Sequence, residues 1–184
     1  MSHDLAEALA RSDLIHDRQA IDAAIARMAI AVRDDLAGKM PLFLTVMHGG
    51  MLFASALALA IGEAGLDLEF DFMHATRYRG ATTGSDLHWK HRPETSLQGR
   101  HVLIADDILD EGYTLDAIRA WCREQGAADV RIAVLAWKRH NRGVQGMHAD
   151  YVGLEVPDRY VFGFGMDYHE RGRNLAAIHA LREP

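Results

Sequence analysis

With a single cysteine, Cys122, the chain has no partner for an internal disulfide. That thiol stands near Leu115, Ile118 and Trp121 at helical spacing, so a buried, reduced side chain is expected there rather than a nucleophile. Basic runs are missing as well. Lys and Arg number 20 against 26 Asp and Glu, a formal charge of -6, and no basic face for a nucleic-acid backbone is expected. No apolar run reaches the roughly 18 to 20 residues that a membrane span needs, and Met1-Ser2-His3-Asp4 lacks the shape of a signal peptide. A cytoplasmic protein without a membrane partner is expected. No G-x-G-x-x-G follows an early strand, and Gly163-x-Gly165 comes late with no helix after it, which argues against a Rossmann-type cofactor binder. His88-x-x-His91 has no companions in a recognisable metal frame and reads as part of a polar surface.

What is present is ordinary globular material. At 49% hydrophobic and 25% charged, 184 residues suffice for one domain with a full core, so a single domain over 1–184 is expected. Asp17 can cap a helix whose apolar positions Ile21, Ile25, Met28, Val32 and Leu36 end at Gly38. Leu42 to Met47 reads as a buried strand, and His48-Gly49-Gly50 turns it into an apolar helix from Met51 to about Gly62. Strand, Gly-Gly turn and helix suit an anion site, because bare glycine amides at a helix N-terminus approach an anion closely; a tight turn with no ligand explains the same residues. Leu66, Leu68, Phe70 and Phe72 alternate with Asp67, Glu69 and Asp71, predicting a strand with one wet face. The polar, glycine-punctuated segment Thr76 to Ser85 follows, and Leu87 and Trp89 resume alternation as a hairpin partner. Between two strands such a segment suits a lid that excludes water, or else a solvated hairpin loop.

The chain is arranged around His101 to Leu115. Val102, Leu103, Ile104 and Ala105 form a short apolar run expected of a central parallel strand. It stops at Asp106 and Asp107, and after Ile108-Leu109 come Asp110, Glu111, Gly112, Tyr113 and Thr114, which opens a helix running to Gln125 and closed by Gly126. Carboxylates at the end of a buried strand face cations or hydroxyl groups, because ligands of open α/β sheets bind outside the carboxyl ends of the strands. The turn from Asp110 to Thr114 offers outward amides and a hydroxyl, a phosphate cradle. An acidic surface turn with Thr114 as an ordinary N-cap accounts for these residues equally. Val130 to Trp137 supplies another strand with Lys138 at its end, either a donor aimed at the ligand crevice or a solvated cation beside Arg139 and Arg142. Strands and helices thus alternate from residue 42, predicting a right-handed, mostly parallel α/β sheet. The stretch from Asp150 to Tyr168 is rich in aromatics and glycines with short strands, a surface able to stack a flat base or simply a packed core.

Two orders of residues are more specific than any of these compositions. An apolar strand, two acidic residues, two apolar ones and then Asp110-Glu111-Gly112-Tyr113-Thr114 resembles the signature of the type I phosphoribosyltransferases. Glu111 departs from it, standing where the common pattern has Thr, so its side chain is expected to point away and its amide to bind. Val156-Pro157-Asp158, Tyr160, Val161, Gly163-Phe164-Gly165-Met166-Asp167-Tyr168 and Arg173 resemble the hood of the hypoxanthine-guanine group of that family. The resemblance runs from about residue 14 to 178.

It implies a mostly parallel sheet flanked by helices, with the core over about 38–140 and a small hood from about 10–17 and 150–178. It implies transfer of a phosphoribosyl group from phosphoribosyl pyrophosphate to hypoxanthine or guanine, with Mg2+ as cofactor and a homodimer or homotetramer as the assembly. Asp106 and Asp107 would hold the ribose hydroxyls around one metal ion, and Asp167 a second. Asp110 would be the general base or acid at purine N7, within a phosphate cradle of Asp110, Glu111, Gly112, Tyr113 and Thr114. Lys138 would donate to O6, Tyr160 would stack on the base, and main-chain atoms of Val161 and Asp167 would read its far edge. Arg173 and the amides of His48 and Gly49 would grip pyrophosphate, with a cis Met47-His48 peptide. His48 stands where other members carry Lys, so a charge contact there would depend on pH. Arg77-Tyr78 would belong to the catalytic lid, with Arg77 a departure from the usual Ser. A xanthine-preferring enzyme, or a regulator on the same fold without activity, would share most of these residues; the presence together of Asp110, Lys138 and Asp167 favours an enzyme.

Overall fold

In the computed structural model, residues 4–77 and 87–182 are described. The first helix, α1 (Leu5–Ala10), leads into strand β1 (Ser12–His16), and Asp17 then caps α2 (Arg18–Leu36), its carboxylate accepting the Ala20 N–H at 2.8 Å. Next come β2 (Leu42–Val46), α3 (Met51–Glu63), β3 (Glu69–Arg77) and β4 (Leu87–His91). The second half holds β5 (His101–Leu109), α4 (Tyr113–Glu124), β6 (Asp129–Lys138), β7 (Tyr151–Val156), β8 (Val161–Phe162) and β9 (Ile178–Leu181).

Six strands form the central sheet in the order β4-β3-β2-β5-β6-β7. Every neighbouring pair is parallel except β3 with β4, the expected hairpin. On one face α2 packs against β6 and β7, and α3 against β5 and β2. Their stripes of Ile21, Ile25, Met28 and Val32 and of Phe53, Leu57 and Ile61 close over Phe43, Leu103 and Leu135. Leu115, Ile118 and Cys122 of α4 cover Leu42, Leu44, Ile104 and Ile132 on the other face. With both faces covered, β5 has the all-apolar run expected of a central strand.

A second sheet of three strands, ordered β1-β9-β8 and antiparallel throughout, forms the hood. Asp13 on β1 anchors it by accepting from Arg159 Nη1 at 2.8 Å and from Arg182 Nε at 2.9 Å. Two boundaries differ from the sequence reading. The hood was expected to include residues 150–178, but β7 is hydrogen bonded along β6 as the edge strand of the central sheet, and the hood sheet ends on β9. Tyr151 and Val156 are buried there, so the aromatic-rich stretch is split between two sheets. The strand expected from Leu66 begins instead at Glu69, and its buried residues are Met73 and Ala75, while Phe70 and Phe72 are exposed.

Candidate functional site

A cleft of about 780 Å³ opens at the carboxyl ends of β2, β3, β5 and β6 and is roofed by residues next to β8. The position follows from the topology: parallel strands end together, and each delivers its last side chains to one rim. Apart from the two lid positions, every residue named from the sequence as a site residue lines this cleft. Of the lid, Arg77 is the last residue of β3, and Tyr78 lies outside the described residues.

The strand β5 does not stop at Asp106 but continues through both carboxylates to Leu109. Asp106 and Asp107 are thereby held at adjacent positions, with the Asp107 N–H donating to Asp106 Oδ1 at 2.9 Å. Burial, reinforced by the charge of Asp107, pushes the Asp106 carboxyl well above the ordinary carboxylate range. Asp107 is likewise raised by burial, against the pull of Arg173. Two acids so confined favour a cation beside them. Asp107 also faces the turn after β2, where a Cβ added at Gly49 would collide with its carboxylate. Only glycine allows that approach. The Met47-His48 peptide in the same turn is cis.

Past β5, Gly112 adopts φ 81°, the left-handed region that L side chains rarely occupy, and serves as the N-cap of α4 without a side-chain hydrogen bond. Thr114 was expected as the residue opening that helix; Gly112 takes the cap instead, and Tyr113 and Thr114 form the first turn. Glu111 is exposed, and its carbonyl accepts from Val144 N at 2.9 Å.

One wall of the cleft is built by the ends of β5 and β6. Lys138, the last residue of β6, places Nζ 2.6 Å from Asp110 Oδ2. His140 places Nε2 2.6 Å from the other oxygen, Oδ1. Burial lifts the Asp110 pKa, but the hydrogen bonds from Lys138 and His140 outweigh it and hold the carboxyl below its ordinary value. Across the cleft Tyr160 is 44% exposed, its hydroxyl donating to the Asp167 carbonyl at 3.3 Å. Val161 is buried beside it as the first residue of β8. Asp167 pairs through Oδ1 with Arg173 Nη2 at 2.8 Å and accepts the Glu170 N–H on Oδ2 at 2.9 Å. Arg173 also donates to the Gly165 carbonyl at 2.7 Å. Thus the two residues expected to hold metal and pyrophosphate grip each other.

Among the described residues no three His, Cys, Asp or Glu side chains gather as a metal cage. A crowded carboxylate pair with raised pKa values fits a hard dication that keeps waters and shares substrate oxygens, which is how magnesium is commonly held.

Two basic lining residues were not anticipated. His74 packs its ring edge-on to His48, centroids 4.5 Å apart, and Lys90 on β4 faces the same end of the cleft. Burial and the positive charges of Lys90, His48 and Arg173 hold His74 below its usual pKa. His74, His48 and the Lys90 side chain thus line the same cleft as the acidic pair. The only sequence signal for His74 was the alternation of Phe70 and Phe72, continued two residues further.

Residues 12–171 match the family model described as phosphoribosyl transferase domain. The hypoxanthine-guanine phosphoribosyltransferase of Streptococcus pneumoniae (strain R6) is 36% identical over 169 residues, 91% of this chain and 91% of that protein. The protein of the same name from Bacillus subtilis is 32% identical over 183 residues, 99% of this chain and 96% of its own. A Trypanosoma cruzi hypoxanthine phosphoribosyl transferase, solved in a study of how its C-terminal region affects oligomeric state and activity, superposes with a TM-score of 0.86 at 26% identity. That match covers 92% of this chain and 91% of the other.

Proposed function

The chain belongs to the phosphoribosyl transferase family, and on that premise we propose that it is a purine salvage enzyme: it transfers the phosphoribosyl group of phosphoribosyl pyrophosphate to hypoxanthine and guanine, forming the nucleotide and pyrophosphate. The observation that carries the base assignment is the contact of Lys138 with Asp110 at 2.6 Å, opposite Tyr160. O6 and N7 lie on one edge of a 6-oxopurine, so a cation and a carboxylate in mutual contact present a donor to one and an acceptor to the other. Adenine offers a 6-amino group where Lys138 also donates, and a site built for one polar partner rejects the wrong one strongly.

As N9 attacks C1 of the ribose, the bond from C1 to the pyrophosphate oxygen breaks and positive charge spreads over the purine. Asp110, kept ionised by Lys138 and His140, takes the N7 proton. Tyr160 stacks on the base, and main-chain atoms of Val161 and Asp167 read its far edge. The amides of the turn from Asp110 to Thr114, Glu111 included, cradle the 5-phosphate at the start of α4. His48, Gly49 and Arg173 bind the departing pyrophosphate, helped by His74 and Lys90. Asp106 and Asp107, and at a second position Asp167, would hold magnesium, which would supply charge neutralisation of the diphosphate. Arg77 and Tyr78 belong to a lid over the cleft.

Both sheets supply the cleft, so the whole chain works as one catalytic domain. It acts as a homo-oligomer of the dimer or tetramer kind, joined through the face of β3 on which Phe70 and Phe72 are exposed. A cytoplasmic location belongs to the same reading; among the described residues no helix is long and apolar enough to cross a membrane.

The test is nucleotide formation from phosphoribosyl pyrophosphate and magnesium with hypoxanthine, guanine, xanthine and adenine side by side, with Asp110→Asn as control. Turnover of hypoxanthine and guanine, lost in the control and missing for adenine, is expected. Binding of phosphoribosyl pyrophosphate without turnover of any base would make the chain a regulator instead.

A further inference from the structure

His140 lies two residues beyond Lys138, in the loop leaving β6, and no feature of the local sequence marks it. Its side chain is only 5% exposed, and Nε2 is 2.6 Å from Asp110 Oδ1. The ring's other nitrogen settles which atom carries the hydrogen. Nδ1 receives the backbone N–H of Arg142 at 3.1 Å, so it presents its lone pair, and Nε2 is the nitrogen that donates. Asp110 therefore has both oxygens gripped, Oδ1 by His140 and Oδ2 by Lys138.

These two grips differ in kind. Lys138 sits on a flexible stem and lines the cleft, where its ammonium has a substrate oxygen to turn to. The imidazole is rigid and anchored at both ends. Its loop is tied further, since the Arg142 guanidinium makes a two-pronged pair with Asp158, Nη1 to Oδ2 and Nη2 to Oδ1, each at 2.6 Å. Asp158 stands two residues before Tyr160, so one short chain of contacts connects the carboxylate to the hood segment that carries the stacking ring.

We propose that His140 is a positioning residue for proton transfer at the base: by donating Nε2–H to Asp110 Oδ1 it fixes the plane of the carboxylate and leaves Oδ2 as the oxygen that passes from Lys138 to purine N7. The inference rests on the function proposed above and adds to it which oxygen acts and what aims it. Without the imidazole the carboxylate turns about its own side-chain bonds, and misplacing a reacting group by an ångström costs about a hundredfold in rate. Binding of phosphoribosyl pyrophosphate, which uses neither nitrogen, is unaffected.

Three variants separate this from mere packing of a buried ring. His140→Gln puts an amide donor near the place of Nε2, His140→Asn keeps an acceptor near the place of Nδ1 while its own amide donor stops short of the place of Nε2, and His140→Phe keeps neither. Steady-state rates with hypoxanthine, calorimetric binding of phosphoribosyl pyrophosphate with magnesium, and melting temperatures are measured for each. The expected result is a fall in kcat of about thirty- to a hundredfold for Asn and Phe. Gln recovers most of it, and Kd for phosphoribosyl pyrophosphate stays unchanged in all three. Asn matching wild type, or Gln no better than Asn, would overturn the proposal while leaving the salvage function standing; a wild type that turns over no base would overturn both. A measurement that needs no variant to fold reads the wild-type ring by two-bond 1H–15N correlation, where hydrogen on Nε2 is expected and hydrogen on Nδ1 would sink the idea.

Discussion

Lys138 has two partners to satisfy, and the difference between them is measurable. In the structure its ammonium rests on Asp110 at 2.6 Å, and in the proposed reaction it turns to O6 of the base. Replacing it by alanine removes the donor to O6 and one grip on the carboxylate, but nothing that holds the diphosphate. We expect Lys138→Ala to lower kcat/KM for hypoxanthine by about a hundredfold, since a charged hydrogen bond to substrate carries roughly 1.5 to 3 kcal/mol. Phosphoribosyl pyrophosphate binding, followed by calorimetry, should change less than threefold; equal loss of both would contradict the role. At this scale the sequence was informative wherever the residues that line the cleft fall in one run. Asp106, Asp107 and Asp110 announce themselves by crowding, and Lys138 by ending an apolar strand. Cys122 was legible from helical spacing alone: it is fully buried, and burial pushes its thiol up to about 12. His140 and His74 were not legible, because each acquires its neighbour through the sheet. Asp110 and His140 are 30 residues apart, and only the parallel pairing of β5 with β6 brings them together.

Among the elements, β3 shows best where pattern reading succeeds and where it stops. Alternation of Phe70 and Phe72 with Asp71 does mark a strand, but hydrophobic period two gives the faces and not what covers them. The structure puts the acidic position to use. Asp71 accepts the Phe72 N–H on Oδ1 at 2.7 Å and the N–H groups of Glu94 and Thr95 on Oδ2, both at 2.9 Å. One side chain thus pins the segment between β4 and β5. Burial raises its pKa, but those amides outweigh it and hold the carboxyl below 3.8. Asp71→Ala should cost about 2 kcal/mol in urea unfolding at pH 7, the usual worth of hydrogen bonds to a charged group. The sign with pH follows from the lowered value: the contribution is complete above pH 3.8 and is lost as pH falls through the folded-state pKa. The stability gap between wild type and variant should therefore be the same at pH 7 and pH 5 and close only in stronger acid. A gap that closes already by pH 5 would mean that the carboxylate is not held by these amides. Elsewhere the element boundaries moved for reasons that sequence cannot supply. The strand β5 continues through two carboxylates because β6 pairs with it as far as Leu109, and the helix after it begins at Tyr113, capped by Gly112, which takes φ 81° where an L side chain would be strained.

For the whole molecule, assembly as a homo-oligomer is part of the proposed function, and the exposed surface supplies the observations from which it is argued. On the side of the sheet that α2 and α3 cover, those helices lie over β7, β6, β5 and β2. Phe70 and Phe72 on β3 stand next in the register to Phe43 and Thr45 of β2, on that same side, and remain 60% and 41% exposed. The helix at the border of this gap, α3, reads MLFASALALAIGE, with one charged residue, yet it buries only the stripe of Phe53, Ala54, Leu57 and Ile61. Leu59 is 72% exposed and Met51 46%. A helix apolar on nearly every side is normally buried on nearly every side. A second copy of this chain fits, since a two-fold contact matches an apolar patch to itself and obligate homodimer interfaces have that composition. Each large side chain so buried contributes about 1.5 to 3 kcal/mol. A charged residue at its centre would be buried unpaired against its own copy. Sedimentation of the wild type at micromolar concentration should therefore give a dimer or larger, and Leu59→Glu combined with Phe70→Glu, two like charges that cannot pair across the contact, should give a folded monomer with the same melting cooperativity. A monomeric wild type, or a double variant that sediments as the wild type does, would place the interface elsewhere or remove it.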